Sequence, residues 1–242
     1  MKTFSKDIMK YLTSNKYDFK LFKMNYSIKE TLCIDNFNLD CDRTYSHFGS
    51  ITMMKGLYEF ISEIGNNNIT QIETMTKIIT NIIKKVLKGY DMEYFWMDIR
   101  ISTPNELYKI PRWHKDGYFF NNTELVAKFA TVLKGPGTLV IRGTKETNST
   151  YKMLVQKMRD DKSKYDTDKD KEKFHNKYRK IYMKAFNKYK MKQLDNNTGI
   201  IFYNGIEKGA IHSEPPINEN RMFISILPGS MNDIMALKER RK

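Results

Sequence analysis

The chain reads as an α+β protein built on a β-sandwich or barrel, and three observations predict it. Apolar residues recur at three-to-four spacing through most of the first 90 positions, as on helices that cover a core. At Tyr94 the spacing changes to two, with Phe95, Met97, Ile99 and Ile101 alternating with Trp96, Asp98 and Arg100. Short apolar segments separated by Gly, Pro and Asn turns then continue to Leu227, which is the pattern of many short strands in two facing sheets.

Taken in order, Ile8, Met9, Leu12, Phe19, Leu21 and Phe22 give the stretch Ser5 to Tyr26 a short amphipathic, helix-compatible character. Met53, Met54, Leu57, Tyr58, Phe60, Ile61 and Ile64 predict one core-facing helix from Thr52 to Ile64, ended by Gly65. Thr70 followed by Glu73 reads as a capping box, and a wide stripe from Ile72 to Leu87 runs to a stop at Gly89. These helices are expected to buttress one sheet. The sheet is expected to begin at Tyr94–Ser102 and to continue with strands at Arg112–Phe120 and Val126–Leu133. Gly135-Pro136-Gly137 predicts a hairpin into Thr138–Ile141. Gly199–Tyr203, a turn at Asn204-Gly205, Gly209–Ser213 and Arg221–Leu227 complete the set. We expect one domain: a helical part at 1–93, a β core at 94–144 and 196–229, a basic insertion at 145–195 and a basic tail at 230–242.

With 242 residues, 40% of them hydrophobic, the chain can bury a sizeable core. Cys33 and Cys41 stand alone, with no CxxC, which supports neither a disulfide framework nor a thiolate zinc site and points to a reducing compartment. Charges interrupt Met1 to Asp7, and no apolar run approaches the roughly 18 residues of a membrane span. An intracellular protein of the cytoplasm or nucleus is expected. The formal charge of +14 implies attraction to an anionic partner, nucleic acid or acidic protein. An AT-rich coding sequence, as in a parasite or a large DNA virus, produces the same lysine surplus without any partner; for a viral protein the location would be host cytoplasm or virion.

The insertion concentrates that charge. Between Lys145 and Asp195 there are sixteen Lys and Arg against eight Asp and Glu, a surplus of eight. Phe174, Tyr178, Tyr182, Phe186 and Tyr189 recur along one helical side, and lysines including Lys177, Lys180, Lys184 and Lys188 occupy the others. The stripe packs on the core in either of two readings. In one the lysines are merely solvated; in the other they face the phosphates of a nucleic acid.

The residues that carry chemistry centre on Arg112-Trp113-His114-Lys115-Asp116-Gly117. On a strand, His114 and Asp116 share a face, and one imidazole with one carboxylate is two thirds of the facial triad that holds non-haem iron(II). Of the remaining histidines, His47, His175 and His212, the last precedes an apolar strand opened by Arg221. The order His114-x-Asp116, distant His212, then Arg221 resembles the iron(II)- and 2-oxoglutarate-dependent dioxygenases over roughly Asp98 to Gly229. Lys134-Gly135-Pro136-Gly137-Thr138 and His212-x-x-Pro215-Pro216 are similar to a poorly characterised branch of that superfamily.

The resemblance implies a double-stranded β-helix of jelly-roll or cupin-like form. It further implies Fe(II) on His114, Asp116 and His212, and 2-oxoglutarate as co-substrate with its far carboxylate on Arg221. The reaction would be hydroxylation or demethylation of a protein or nucleic acid, with release of succinate and CO2. Many relatives place a helper hydroxyl where Phe223 stands here, so Tyr108, Thr131 and Ser225 are the candidates for a second 2-oxoglutarate contact. Trp113, Phe202 and Phe223 are candidates to exclude water. His212-Ser213-Glu214 is a second His-x-acid pair with no later histidine to complete it. Two other functions stay open on the residues: a nucleic-acid-binding β module with a structural metal or none, and a cupin-like metalloenzyme that does not use 2-oxoglutarate.

Overall fold

The first ninety residues supply helices and two strands: α1 (Lys2–Ser14), β1 (Phe19–Lys23), α2 (Ile28–Asn36), β2 (Arg43–Ser50), a 3-10 turn (Ile51–Met53), α3 (Leu57–Ser62) and α4 (Ile69–Tyr90). Then follow β3 (Tyr94–Ser102), β4 (Ala127–Lys134), β5 (Leu139–Ile141), α5 (Lys145–Lys162), α6 (Asp168–Phe186), β6 (Met191–Gln193), β7 (Thr198–Tyr203), β8 (Ile211–Ser213), β9 (Arg221–Gly229) and α7 (Met231–Arg240). The computed structural model describes residues 2–14, 18–104, 109–117, 127–162, 168–205 and 207–241.

Two antiparallel sheets result, one of six strands in the order β1-β7-β4-β9-β3-β2 and one of three in the order β6-β5-β8. Alternation assigns the two faces of the large sheet. Phe95, Met97, Ile99, Phe129, Met222, Ile224 and Ile226 join Ile72, Met75, Ile79, Ile83 and Val86 of α4 in the main core. Each such side chain contributes about 1.5–3 kcal/mol on burial, which is what fixes the helical layer against this face. The other face meets the small sheet through Ala130, Val140, Ile200, Phe202 and Ala210. The α+β sandwich with buttressing helices is therefore present.

Several elements differ from expectation. The sheet does not begin at Tyr94: β1 pairs with β7 and β2 with β3, so both edges come from the first fifty residues. Only the first half of the Ser5–Tyr26 stretch is helical, because Phe19 to Lys23 pair as a strand. The helix expected over Thr52–Ile64 starts at Leu57, since Gly56 adopts a left-handed φ of 75° ahead of it and leaves Met53 in the 3-10 turn. The capping box of α4 is Asn68 with Gln71, two residues before Thr70 and Glu73; Gln71 N donates to Asn68 Oδ1 at 2.9 Å and Asn68 N to Gln71 Oε1 at 3.0 Å.

Of the strand expected at Arg112–Phe120, the structure has a single bridge, His114 to His212, and 118–120 lie outside the described residues. Gly135-Pro136-Gly137 does not form a hairpin, because β4 belongs to the large sheet and β5 to the small one. It is the crossing between sheets. The basic tail is α7, capped by Ser230 and packed through Ile234 and Leu237 on Trp96 and Leu227.

Within the insertion, α5 and α6 bury Tyr151, Leu154 and Val155 with Phe174, Tyr178, Tyr182 and Phe186 against Trp113, Ile141 and Ile211. The aromatic stripe thus packs on the small sheet. Lys177, Lys180 and Lys184 recur at three and four residues on the opposite, exposed side of α6, turned from that sheet and from what lies beside it. Lys177 pairs with Asp161 at 3.0 Å and Lys188, past the helix end, with Glu146 at 3.0 Å. Among the described residues no helix is long and apolar enough to cross a membrane.

Candidate metal centre

The segment 109–117 and strand β8 meet backbone to backbone: His114 N donates to His212 O at 2.9 Å and His212 N to His114 O at 3.0 Å. That pair brings the two imidazoles to 4.3 Å between ring centroids. Asp116 Oδ1 lies 3.4 Å from His114 Nε2 and 3.7 Å from His212 Nε2. The three ligand atoms all fall within 4.8 Å of one another, and among the described residues this is the cluster able to hold a metal ion. The opposite nitrogens are occupied. His114 Nδ1 is 2.7 Å from Arg112 O and His212 Nδ1 3.0 Å from Ala210 O, so each Nδ1–H donates to a carbonyl and each Nε2 keeps its lone pair for a cation.

The electrostatics suit ligation. Burial, aided by the neighbouring His114, pulls the His212 imidazole down to about 4, which leaves it neutral at physiological pH. Burial alone would raise the Asp116 carboxyl, but Lys128 and the two imidazoles outweigh it and hold the group well below the ordinary carboxylate range. Lys128 does this from β4, with Nζ 2.8 Å from Asp116 Oδ2 and 5.5 Å from the Trp96 ring centroid. Oδ1 alone then faces the imidazoles. The loop is held from behind as well, since Gly205 N donates to Asp116 O at 2.6 Å and a Cβ on Gly117 would meet Gly205 Cα at 2.9 Å. The expected Asn204-Gly205 turn is there, with Gly205 at φ 98°.

A cavity of about 1010 Å3 opens over the triad. Phe202, whose ring centroid is 4.6 Å from that of His212, lines it with Trp113 and Phe223, the three side chains expected to exclude water. Arg221 lines it too, although its own exposure is only 2%. Its Nε donates to Pro136 O at 2.9 Å and one terminal nitrogen to Thr138 Oγ1 at 3.3 Å. The Gly135-Pro136-Gly137-Thr138 crossing therefore cradles the guanidinium, and a Cβ on Gly135, at φ 85°, would sit 2.8 Å from Arg221 Cα. Burial draws Arg221 down to about 10, still protonated at neutral pH.

The second-contact candidates fare differently. Thr131 shares the helical face of β4 with Phe129 and Leu133 and donates to Thr198 O at 3.2 Å, so parity turns it away from the cavity. Ser225 is buried on the same strand face as Arg221 but two residues beyond Phe223, and it is not part of the cavity wall. Tyr108 lies outside the described residues. Thr138 is the hydroxyl next to Arg221, and its only sequence signal was its place in the Gly-Pro-Gly-Thr motif. Lys128 had no signal, being one lysine among many. Glu214 does not join the triad; it meets Arg112 at 2.9 Å, and the arginine and His114 hold it well below its usual range although burial opposes this. His47 is distant, its Nε2 3.0 Å from Ser50 O, and His175 lines the cavity without entering the cluster.

No family model and no curated protein matches the sequence. The fold does have solved counterparts. The apo structure of the Kdo hydroxylase KdoO, a non-heme Fe(II) alphaketoglutarate dependent dioxygenase, is similar over 97% of this chain and 90% of that one, with a TM-score of 0.51 and 9% identity. Its complex with cobalt(II) is similar over 96% and 87%, with a TM-score of 0.51 and 8% identity. For its complex with alphaketoglutarate and Fe(III) the figures are 96% and 87%, a TM-score of 0.50 and 8% identity. The chain has the double-stranded β-helix fold of these enzymes.

Proposed function

We propose that the protein is an iron(II)- and 2-oxoglutarate-dependent oxygenase that hydroxylates or demethylates its substrate. The observation that carries this reading is the triad geometry: two Nε2 atoms with their lone pairs aimed inward and one carboxylate oxygen, on one side of a cavity. Two neutral nitrogens and one anionic oxygen fit iron(II) and leave coordination positions open toward the cavity. Thiolates have no part in it, as both cysteines lie elsewhere in the fold. KdoO, whose fold this chain shares, binds cobalt(II), Fe(III) and alphaketoglutarate, which supports the same donor set here.

In this reading His114, Asp116 and His212 hold the metal, and Arg221 receives the far carboxylate of 2-oxoglutarate through a two-pronged contact, with Thr138 beside it. When bound, iron and 2-oxoglutarate together activate oxygen, with release of succinate and CO2. Lys128 keeps Asp116 a one-oxygen ligand by occupying Oδ2. Trp113, Phe202 and Phe223 keep water from the reacting side of the cavity. The cupin-like alternative lacks a use for a buried, cradled Arg221.

Anaerobic titration of the purified protein with Fe(II) and 2-oxoglutarate tests the assignment. A weak visible metal-to-ligand charge-transfer band should appear only with both present and should be absent in His212→Ala. A band of equal strength in that variant, or none in the wild type, overturns it.

A further inference from the structure

Six of the nine arginines in the chain, Arg100, Arg112, Arg159, Arg179, Arg221 and Arg241, line the cavity over the triad. Among the described residues only Lys115, Lys128 and Lys162 of thirty-three lysines do so. Coding bias toward AT spreads lysine over a surface; it does not gather arginine in one cavity. Arginine differs from lysine in presenting a planar fork that matches carboxylate and phosphate oxygens two at a time, and it is the residue found where such groups are bound.

Three of these arginines come from separate elements: Arg100 from β3, Arg112 from the segment before His114 and Arg179 from α6. With Arg221 they also line a smaller adjoining recess of about 250 Å3, in which Glu214 is the one acid among the described lining residues. Glu214 meets Arg112 at 2.9 Å and Arg100 at 3.8 Å, and Asp98 also reaches Arg100, at 3.5 Å. Four guanidiniums gathered in one small recess suit the oxygens of an anionic group. The main cavity also has aromatic lining, with Phe174, Tyr178 and Tyr182 contributed by α6. At about 1010 Å3 the cavity lies at the upper end of small-molecule sites, roughly 300–1,000 Å3, with room for a co-substrate and a second small ligand.

Resting on the oxygenase reading above, we propose that the substrate is a small molecule carrying a carboxylate or phosphate on an aromatic or similarly flat apolar body. Its anionic group is received by Arg100, Arg112 and Arg179, and its body lies along the α6 wall toward the triad. Arg221 is reserved for the co-substrate. The lysine stripe of α6, on the helix's far side, takes no part.

The test uses full-length protein saturated with Mn(II) and 2-oxoglutarate, so that added carboxylates do not report on Arg221, and measures binding of phenyl phosphate, benzoate and neutral benzyl alcohol by calorimetry. At least one anion should bind about tenfold or more tighter than the alcohol, as expected for charge-assisted hydrogen bonds, and which of the two does so separates phosphate from carboxylate. Arg179→Gln should remove about that factor for the anion, Arg179→Lys should restore part of it, and Glu214→Gln should tighten the anion. All three should leave 2-oxoglutarate affinity unchanged, which also reports that they fold; Arg100→Gln serves if Arg179→Gln does not fold. Equal binding of anion and alcohol, or anion affinity unmoved by loss of the arginine, overturns the proposal. So does a single-stranded oligonucleotide that binds more tightly than either anion and loses affinity when Lys180 and Lys184 become glutamate. If the wild type takes up neither metal nor 2-oxoglutarate, the oxygenase reading fails, and the same probes on metal-free protein decide the anion recess by itself.

Discussion

The two faces of the six-stranded sheet both bury side chains, but of different kinds. Toward α4, β3 presents Phe95, Met97 and Ile99, each at 0% exposure; on its other face, toward α7 and the cavity, the same strand presents Trp96 and Asp98 at 6% and 1%. β4 and β9 repeat the division, with Phe129 and Ile224 on one side and Lys128 and Arg221 on the other. Apolar burial is non-directional, and any well-filled packing contributes. A buried polar group stabilises only when its partners are in place, so the inner face is a network of named contacts. Trp96 Nε1 and Ser46 Oγ both donate to Asp98 Oδ1, at 2.8 and 2.7 Å, and Lys128 reaches Asp116. The helical face is apolar throughout these strands, whereas the other face combines apolar packing with charges held where a metal and its ligands would need them.

That division can be broken from either side. The largest effect expected is from Asp116→Ala, which removes the one anionic ligand and leaves Lys128 buried without its partner. Mn(II) affinity, measured by calorimetry, should fall by more than the roughly 10–100-fold typical of losing an outer-shell contact. Unchanged metal content in this variant and in His114→Ala under identical loading would sink the triad.

On the other face, Phe129→Ala should cost about 3–5 kcal/mol in denaturant unfolding, as for large aromatic truncations in a core. Metal affinity of the folded fraction should not move. A comparable loss of metal binding would mean that the two faces are coupled and not separable.

Lys128→Met keeps an apolar side chain beside Trp96 and frees Asp116 Oδ2 to become a second ligand oxygen, which would take a coordination position. Affinity of the Mn(II)-loaded protein for 2-oxoglutarate should fall on the order of tenfold. Equal affinity would show that the lysine merely neutralises the carboxylate. Arg221→Lys keeps charge and loses the fork, so 2-oxoglutarate binding should weaken by roughly tenfold or less, while Arg221→Ala should lose most of it and leave metal affinity intact.

The smallest effect is expected from reversing Lys177, Lys180, Lys184 and Lys188 to glutamate, because the three within α6 lie across the helix from the cavity. Metal and 2-oxoglutarate affinity should stay within experimental error. Binding to single-stranded DNA or RNA, if it occurs, should fall steeply between roughly 50 and 200 mM salt and be lost in the variant. A change in 2-oxoglutarate affinity would place these lysines nearer the site than the helix geometry allows.

What depends on short-range regularity and residue type was readable from the order of residues alone. The apolar stripe of α4, the alternation along β3 and the aromatic side of α6 are set by periods of a few residues, and each formed as the pattern predicts. The site types His114, Asp116, His212 and Arg221 were legible because few side chains can hold a hard cation or a carboxylate. Where the chain breaks a local pattern, as at Gly56 ahead of α3, one residue's backbone conformation outweighed the stripe around it. Strand pairing, by contrast, depends on contacts between distant parts of the chain. The crossing at Gly135 looks like a hairpin turn locally, yet β4 and β5 part to different sheets because each finds its partners some fifty or more residues further along the chain. The same reason hides Lys128 and the arginine cluster: a cation's role follows from the acid it meets, and the acids here, Asp116 and Glu214, arrive from distant segments of the chain. Period and composition are properties of neighbours in sequence, whereas ligand geometry and charge balance belong to neighbours in space.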